Sequence, residues 1–311
     1  MNKLDPRNIY DDLHQIPELG FEEFKTSAYL ADKLEAMGYK VTRNIGGTGV
    51  IGEIKGSEPG PVMMLRADMD ALPFLIDGEK KNIHACGHDA HSAMLLAAAS
   101  ELVGKVKRGT LRILFQQGEE TLKGALAVID AGVIEDVDIA LGLHIRPVQD
   151  IAYGEMSPAV RHASSTFVNV VINGLSSHGA RPHLGVNAIE AAAVAINAIT
   201  AIKINPIIPW SCKVTGIKGG GVAPNIIPDK VEMIVDARAQ TNEAMTELLE
   251  KLRRAVTNAA AALGATAEVT TPGGVIPAAE YDDELTAEVA ACLVEVVGEE
   301  KLAKDLVNPG G

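Results

Sequence analysis

Between Asn82 and His91, the run Asn-Ile-His-Ala-Cys-Gly-His-Asp-Ala-His packs one thiol, one carboxylate and three imidazoles into ten residues. Thiolate and imidazole are the usual protein ligands for zinc-like metals, and Cys86-x-His88 on a loop could place both on one ion. A helical pattern follows at once, and a helix N-terminus together with a bound cation favours thiolate over thiol at Cys86. A free cysteine among surface histidines would have the same local spelling. The weight therefore falls on its company: Glu119-Glu120 and His144 lie downstream, each just past the end of an expected strand.

The doublet Glu119-Glu120 suits a division of labour. One carboxylate can bind metal while its neighbour, pointing elsewhere, takes a proton from water. Asp70 could hold a metal ligand from behind, or be a plain turn aspartate before Leu72-Pro73. A second polar constellation lies further on, in Gly174-Leu175-Ser176-Ser177-His178-Gly179-Ala180-Arg181-Pro182-His183, in Asn225, and in Arg238 at a strand end. A histidine or asparagine can donate to a developing oxyanion, and an arginine can clamp a carboxylate.

Metal ligands drawn from distant parts of a chain need rigid supports, and strand ends supply them. The pattern predicts a helix to His14, a helix over 22–37 stopped by Gly38, strands over 39–43 and 50–54, and a buried strand over 61–66. Beyond the Cys-x-His segment come a helix over 91–103, a strand over 110–115, a helix over 123–131 and a strand over 137–143. Such alternation predicts a largely parallel sheet covered by helices, with ligands collecting outside the carboxyl ends of its strands. Asp68, Asp70, Glu119, Glu120 and His144 all fall at such ends.

Near Ser164 the character changes. Strands over 166–172, 210–217, 230–237 and 265–270, with helices over 186–202 and 243–263, spell βαββαβ, a ferredoxin-like α+β unit. It reads as a domain inserted at about 164–274 into an α/β domain formed by 1–163 and 275–311, to which a last helix over 282–297 belongs.

At 311 residues two domains are the better expectation. The composition is 47% hydrophobic but only 4% aromatic, which describes a soluble α/β protein with a Val, Ile, Leu and Ala core. No apolar run reaches the ~18 residues of a membrane span. The N-terminus lacks a signal-peptide layout, so the cytoplasm is expected. Lys and Arg number 28 against 41 Asp and Glu, a formal charge of −13, which argues against a nucleic-acid partner. Cys86, Cys212 and Cys292 are too scattered for a disulfide framework.

Taken together, these stretches resemble the aminoacylase and carboxypeptidase-like family of two-metal peptidases, nearest to its amidohydrolase branch acting on N-acyl amino acids and hippurate. The matching motifs run from His14-Gln15-Ile16-Pro17-Glu18 through Leu65-Arg66-Ala67-Asp68-Met69-Asp70-Ala71-Leu72-Pro73, His84 to His91, and Gln116-Gln117-Gly118-Glu119-Glu120. Gly142-Leu143-His144, His178 to His183 and Asn225-Ile226-Ile227-Pro228-Asp229 complete the set, in the family's order. The resemblance implies a zinc-exopeptidase-like catalytic domain and two divalent ions, Mn or Zn, held by Cys86, His88, Glu120 and His144. It makes Glu119 the base that activates a metal-bound water. It assigns His178 to the transition-state oxyanion across a homodimer interface made by the inserted domain, and Asn225 and Arg238 to substrate. A metal-dependent amidohydrolase of N-acyl amino acids or small peptide-like amides is the expected function.

Two departures stand out. The segment between Pro73 and His84 is shorter than the family's usual loop. The chain also ends at Asn308-Pro309-Gly310-Gly311, where the family continues to a final metal-binding histidine without counterpart here. On that basis the chain as it stands is expected to bind at most one metal tightly and to hydrolyse poorly. Two other readings compete: Cys86 as a nucleophile with a histidine base, and an inactive relative that binds small amides.

Overall fold

The computed structural model describes residues 3–304 and 306–308. By the density of internal contacts the chain divides into two compact units, one up to Pro147 and one from Val148 onward.

The first unit opens with helix α1 (Pro6–His14), whose N-terminus is set by Asp5 accepting the Arg7 amide with Pro6 in the first turn. Helix α2 (Phe24–Ala36) follows, then β1 (Lys40–Ile45), β2 (Gly49–Lys55) and the long β3 (Glu58–Asp68). Next come a hairpin of β4 (Leu72–Ile76) and β5 (Glu79–Ile83), helix α3 (His88–Leu102), β6 (Arg108–Gln116), α4 (Gly124–Asp130) and β7 (Ile139–Gly142). The main sheet has the order β1-β2-β6-β3-β7 and is mixed. Strands β1, β2 and β6 pair antiparallel, whereas β3 runs parallel to both β6 and β7. Its core joins Leu30 and Leu34 of α2 and Leu96 of α3 to Val50, Ala67, Ile113 and Phe115 of the strands.

The hairpin of β4 and β5 is the short segment noted between Pro73 and His84. It turns through Asp77-Gly78, both at positive φ (52° and 82°), the backbone that a two-residue hairpin turn demands. Its pattern carries no strand signal, because Phe74, Leu75 and Ile76 run together instead of alternating with polar residues, and in the structure Phe74 and Leu75 are exposed.

In the second unit β8 (Val160–His162) and β9 (Ser164–Asn173) precede the short β10 (Ser177–His178) and helix α5 (Ala188–Thr200). Strands β11 (Trp210–Gly219), β12 (Ile226–Ile227) and β13 (Lys230–Ala239), helix α6 (Asn242–Ala262) and β14 (Thr266–Thr270) follow. Helix α7 (Asp283–Val297) and β15 (Leu306–Asn308) end the described chain. The principal sheet, β11-β13-β9-β14, is antiparallel throughout, and its chain order β9-α5-β11-β13-α6-β14 is the expected βαββαβ unit. Strict alternation of buried residues along β13 (Val231, Met233, Val235, Ala237, Ala239) turns one face toward Leu248, Leu252 and Val256 of α6. Asn187 and Thr241 cap the two helices, each side chain accepting an amide of the first turn.

Sequence reading assigned 275–311 to the first domain, whereas the contacts group everything from Val148 onward with the second unit. Local pairing explains this. Strand β15 runs parallel to β8, Ile276 bridges to Ser165, the Tyr281 hydroxyl donates to the Val160 carbonyl, and the Ala278 amide donates to Asn242. Such links between distant segments leave no trace in periodicity. The terminal Pro309-Gly310-Gly311 lies outside the described residues. Among those described, no helix is long and apolar enough to cross a membrane.

Candidate metal centre

Parallel pairing brings three strand ends to one edge of the sheet: Asp68 of β3 is in register with Gln116 of β6, and Arg66 of β3 with Gly142 of β7. Asp68 and Asp70, Glu119-Glu120 and His144 leave from those ends, and the start of α3 faces them with His88. Sequence reading placed Cys86 and His88 together on a loop. In the structure the loop closes at Gly87, in the left-handed region at φ 88°, and His88 is already the first residue of the helix.

The side chains converge. Cys86 Sγ lies 3.4 Å from His144 Nε2. His88 Nε2 lies 3.8 Å from Glu119 Oε2 and 3.9 Å from Glu120 Oε1. On the other side of its ring, His88 Nδ1 is 3.1 Å from Asp70 Oδ1. A carboxylate only accepts, so Nδ1 carries a hydrogen, and Nε2 is the nitrogen left to bind a metal, which would displace its proton. The second oxygen of Asp70 accepts the Glu120 amide at 3.0 Å. One buried aspartate thus holds both the ring of His88 and the backbone of Glu120.

A turn that presents two adjacent glutamates needs a tight backbone. Gly118 sits at φ 59°, and a side chain there would meet the Phe21 ring. The Gly118 amide donates to Glu23 Oε1 at 2.8 Å, while the Thr48 hydroxyl donates to Glu23 Oε2 at 2.5 Å. Gly124 closes the turn by donating its amide to the Gly118 carbonyl at 3.1 Å. A Cβ on Gly124 would fall on the Gln117 carbonyl oxygen. We therefore expect Gly124→Ala to displace the Glu119-Glu120 turn, at a cost of about 1–3 kcal/mol in stability. Denaturant unfolding and turnover of the same preparation check this; an unchanged midpoint with unchanged turnover would show that the turn tolerates the methyl.

Electrostatically the centre is built for positive charge. Burial alone would depress His88, but the hydrogen bond to Asp70 and the neighbouring Cys86 and Asp68 outweigh it and raise its pKa to about 11. Burial raises Glu119 and Glu120 above the usual carboxylate range, with the nearby aspartates adding to the effect. Burial likewise lowers His144. Asp68 is pushed up by burial, yet the bond to His91 and the charge of Arg66 hold it well below the ordinary range.

The donors fit a metal. Cys86, His88 and His144 offer ligand atoms within 4.8 Å of one another, as do His88, Glu119 and Glu120, and His88 belongs to both groups. His88 Nε2 and Glu120 Oε1 are buried and have no hydrogen-bond partner. Orphaned polar atoms of this kind are rare in a folded core, and a shared cation satisfies both. A thiolate, imidazoles and carboxylates form the mixed donor set that zinc-like ions accept.

Of the other predicted residues, His178 and Asn225 meet in the second unit. Strands β10 and β12 pair there, and Asn225 Nδ2 lies 3.4 Å from His178 Nε2. Arg238 sits near the end of β13, its Nε 3.0 Å from Asp236. Sequence reading gave no role to Asp68, His91 or Glu23, all of them buried and polar. The spacing of Asp68 and Asp70, two apart at a strand end, was the one available signal for the first.

A mixed donor cluster at parallel strand ends and a separate βαββαβ unit make this an α/β protein with a candidate metal site. The family model described as Peptidase family M20/M25/M40 matches residues 64–311. The chain is 36% identical over 299 residues to thermostable carboxypeptidase 1 of Saccharolobus solfataricus, covering 91% of this chain and 76% of that one. It is 36% identical over 255 residues to hippurate hydrolase of Campylobacter jejuni, covering 78% and 67%. Among solved structures it is similar to a dinuclear metal-binding peptidase of the M20 family from Bacillus subtilis, with a TM-score of 0.80 at 30% identity over 98% of this chain and 82% of that one. The chain belongs to peptidase family M20/M25/M40, and by that membership it is a metal-dependent hydrolase of amide bonds.

Proposed function

We propose that the chain hydrolyses the amide bond of an N-acyl amino acid or a small peptide-like substrate. The observation that carries this reading is the pair of orphaned, buried donors, His88 Nε2 and Glu120 Oε1, beside a second carboxylate, Glu119. Of two divalent ions, Mn²⁺ or Zn²⁺, Cys86, His88, Glu120 and His144 would hold at most one tightly. Bound there, such ions polarise a carbonyl and acidify water. Asp70 fixes the tautomer of His88 and the backbone of Glu120. Glu119, its proton affinity raised by burial, takes a proton from the attacking water and delivers it to the leaving nitrogen.

In the second unit, where His178 and Asn225 stand 3.4 Å apart, His178 would donate to the oxyanion across a homodimer interface, and Asn225 and Arg238 would contact the carbonyl or carboxylate of the substrate. Within this reading residues 164–274 form the lid through which a homodimer assembles. The relatives' names support an amide next to an amino acid, since one is a hippurate hydrolase and another a carboxypeptidase. A turnover screen of acetyl-, benzoyl- and succinyl-amino acids with added Mn²⁺ or Zn²⁺ tests it. Release of amino acid that stops on chelation is the expected result, and hydrolysis indifferent to chelator would sink the metal mechanism.

A second reading has one observation in its favour. Cys86 Sγ at 3.4 Å from His144 Nε2 is also the geometry of a thiol and its base. Thiol alkylation separates the two. A metal enzyme should be protected at Cys86 by Zn²⁺, whereas a thiol enzyme is inactivated with or without the ion.

A further inference from the structure

The ligand set leaves a second buried group unused. Asp68 and His91 are wholly enclosed, with His91 Nδ1 2.6 Å from Asp68 Oδ1. The other oxygen of Asp68 is 2.9 Å from Arg66 Nη1. On the far side of the imidazole, the Ile145 amide donates to His91 Nε2 at 2.9 Å. The rings of His91 and His144 meet edge to face, their centroids 4.4 Å apart.

Asp68, His88 and His91 lie close enough to hold an ion themselves. The bonding argues for another use. Both nitrogens of His91 and both oxygens of Asp68 are engaged, whereas His88 Nε2 and Glu120 Oε1 are among the buried atoms without a partner. Asp68 cannot donate, so His91 carries its hydrogen on Nδ1 and keeps Nε2 bare as an acceptor.

What Nε2 accepts is informative. His144 lies in the stretch 143–147, which has no regular structure and follows the edge strand β7. A ligand on such a stretch needs an anchor, because irregular backbone does not hold a side chain to the tolerance a metal requires. His144 Nδ1 is turned back onto the Ile145 carbonyl, so the position of residue 145 sets the direction of Nε2.

We infer that His91 is a positioning residue. Oriented by Asp68, it holds the Ile145 amide and so aims His144 at Cys86. This rests on His144 being a metal ligand.

Two substitutions separate its two bonds. In His91→Gln the amide oxygen lies about where Nε2 was and still accepts the Ile145 amide. In His91→Asn the amide nitrogen lies about where Nδ1 was; it still donates to Asp68 but cannot reach Ile145. Zn²⁺ affinity is read by competition with a chromophoric chelator, alongside His144→Ala and a thermal melt of each protein. His144→Ala and His91→Asn should both weaken Zn²⁺, the latter ~10 to 100-fold, with His91→Gln close to the parent. Parent-like affinity in His91→Asn, or equal weakening in the Asn and Gln variants, overturns the inference while leaving the ligand set in place. Parent-like affinity in His144→Ala removes the ligand assignment and the inference with it. Without any variant, long-range ¹H–¹⁵N correlation of the His91 ring should show hydrogen on Nδ1; hydrogen on Nε2 also overturns it.

Discussion

Glu119→Gln is expected to keep its metal and lose turnover by ~10² to 10⁴-fold, the range that removal of a general acid–base covers. The amide preserves volume and can still face His88 Nε2, 3.8 Å from the native carboxylate. It cannot accept a proton from water or pass one to nitrogen. Burial makes the native group a better base than an ordinary glutamate, so the loss should fall on kcat with KM little changed. Metal content by elemental analysis and steady-state kinetics on one preparation decide the matter. Near-parental kcat would take Glu119 out of the mechanism.

His88→Ala should do the opposite to the metal. This imidazole belongs to all three groups of potential ligands among the described residues, and its buried Nε2 has no hydrogen-bond partner. Losing an outer partner of a ligand weakens metal binding by ~10 to 100-fold, and losing the shared ligand itself should exceed that. Turnover should fall below that of Glu119→Gln. The truncation also strips Asp70 Oδ1 of its buried partner, a cost of about 1–3 kcal/mol, so circular dichroism must first establish that the fold persists. A folded His88→Ala protein that binds Zn²⁺ like the parent would mean that the ions sit elsewhere. The two variants form a contrast: one keeps metal without chemistry, the other keeps Glu119 without metal.

Much of this was written in the chain. Alternation along β9 and β13 and the 3.6-residue stripe of α6 are local patterns, because one face of each element is apolar, and they specified the βαββαβ unit. The parallel character of β3, β6 and β7 followed from alternating strands and helices. Residues that leave from the carboxyl ends of parallel neighbours must share an edge, so Glu119, Glu120 and His144 could be grouped with Cys86 and His88 from order alone.

Tertiary structure decided what each of those residues touches. Nothing in the spelling of Asp68-Met69-Asp70 says that one carboxylate orients His91 and the other joins His88 to the Glu120 amide; that depends on where α3 packs against β3. Nothing in the spelling around Glu23 marks it as buried, yet the Gly118 turn and Thr48, distant in sequence, enclose it. The pairing of β15 with β8 is equally silent, because its register spans over a hundred residues of chain. Periodicity reports which face of an element is buried, since that is a property of neighbouring residues. Hydrogen-bond partners between elements depend on the packing of distant segments, and only the folded chain brings those together.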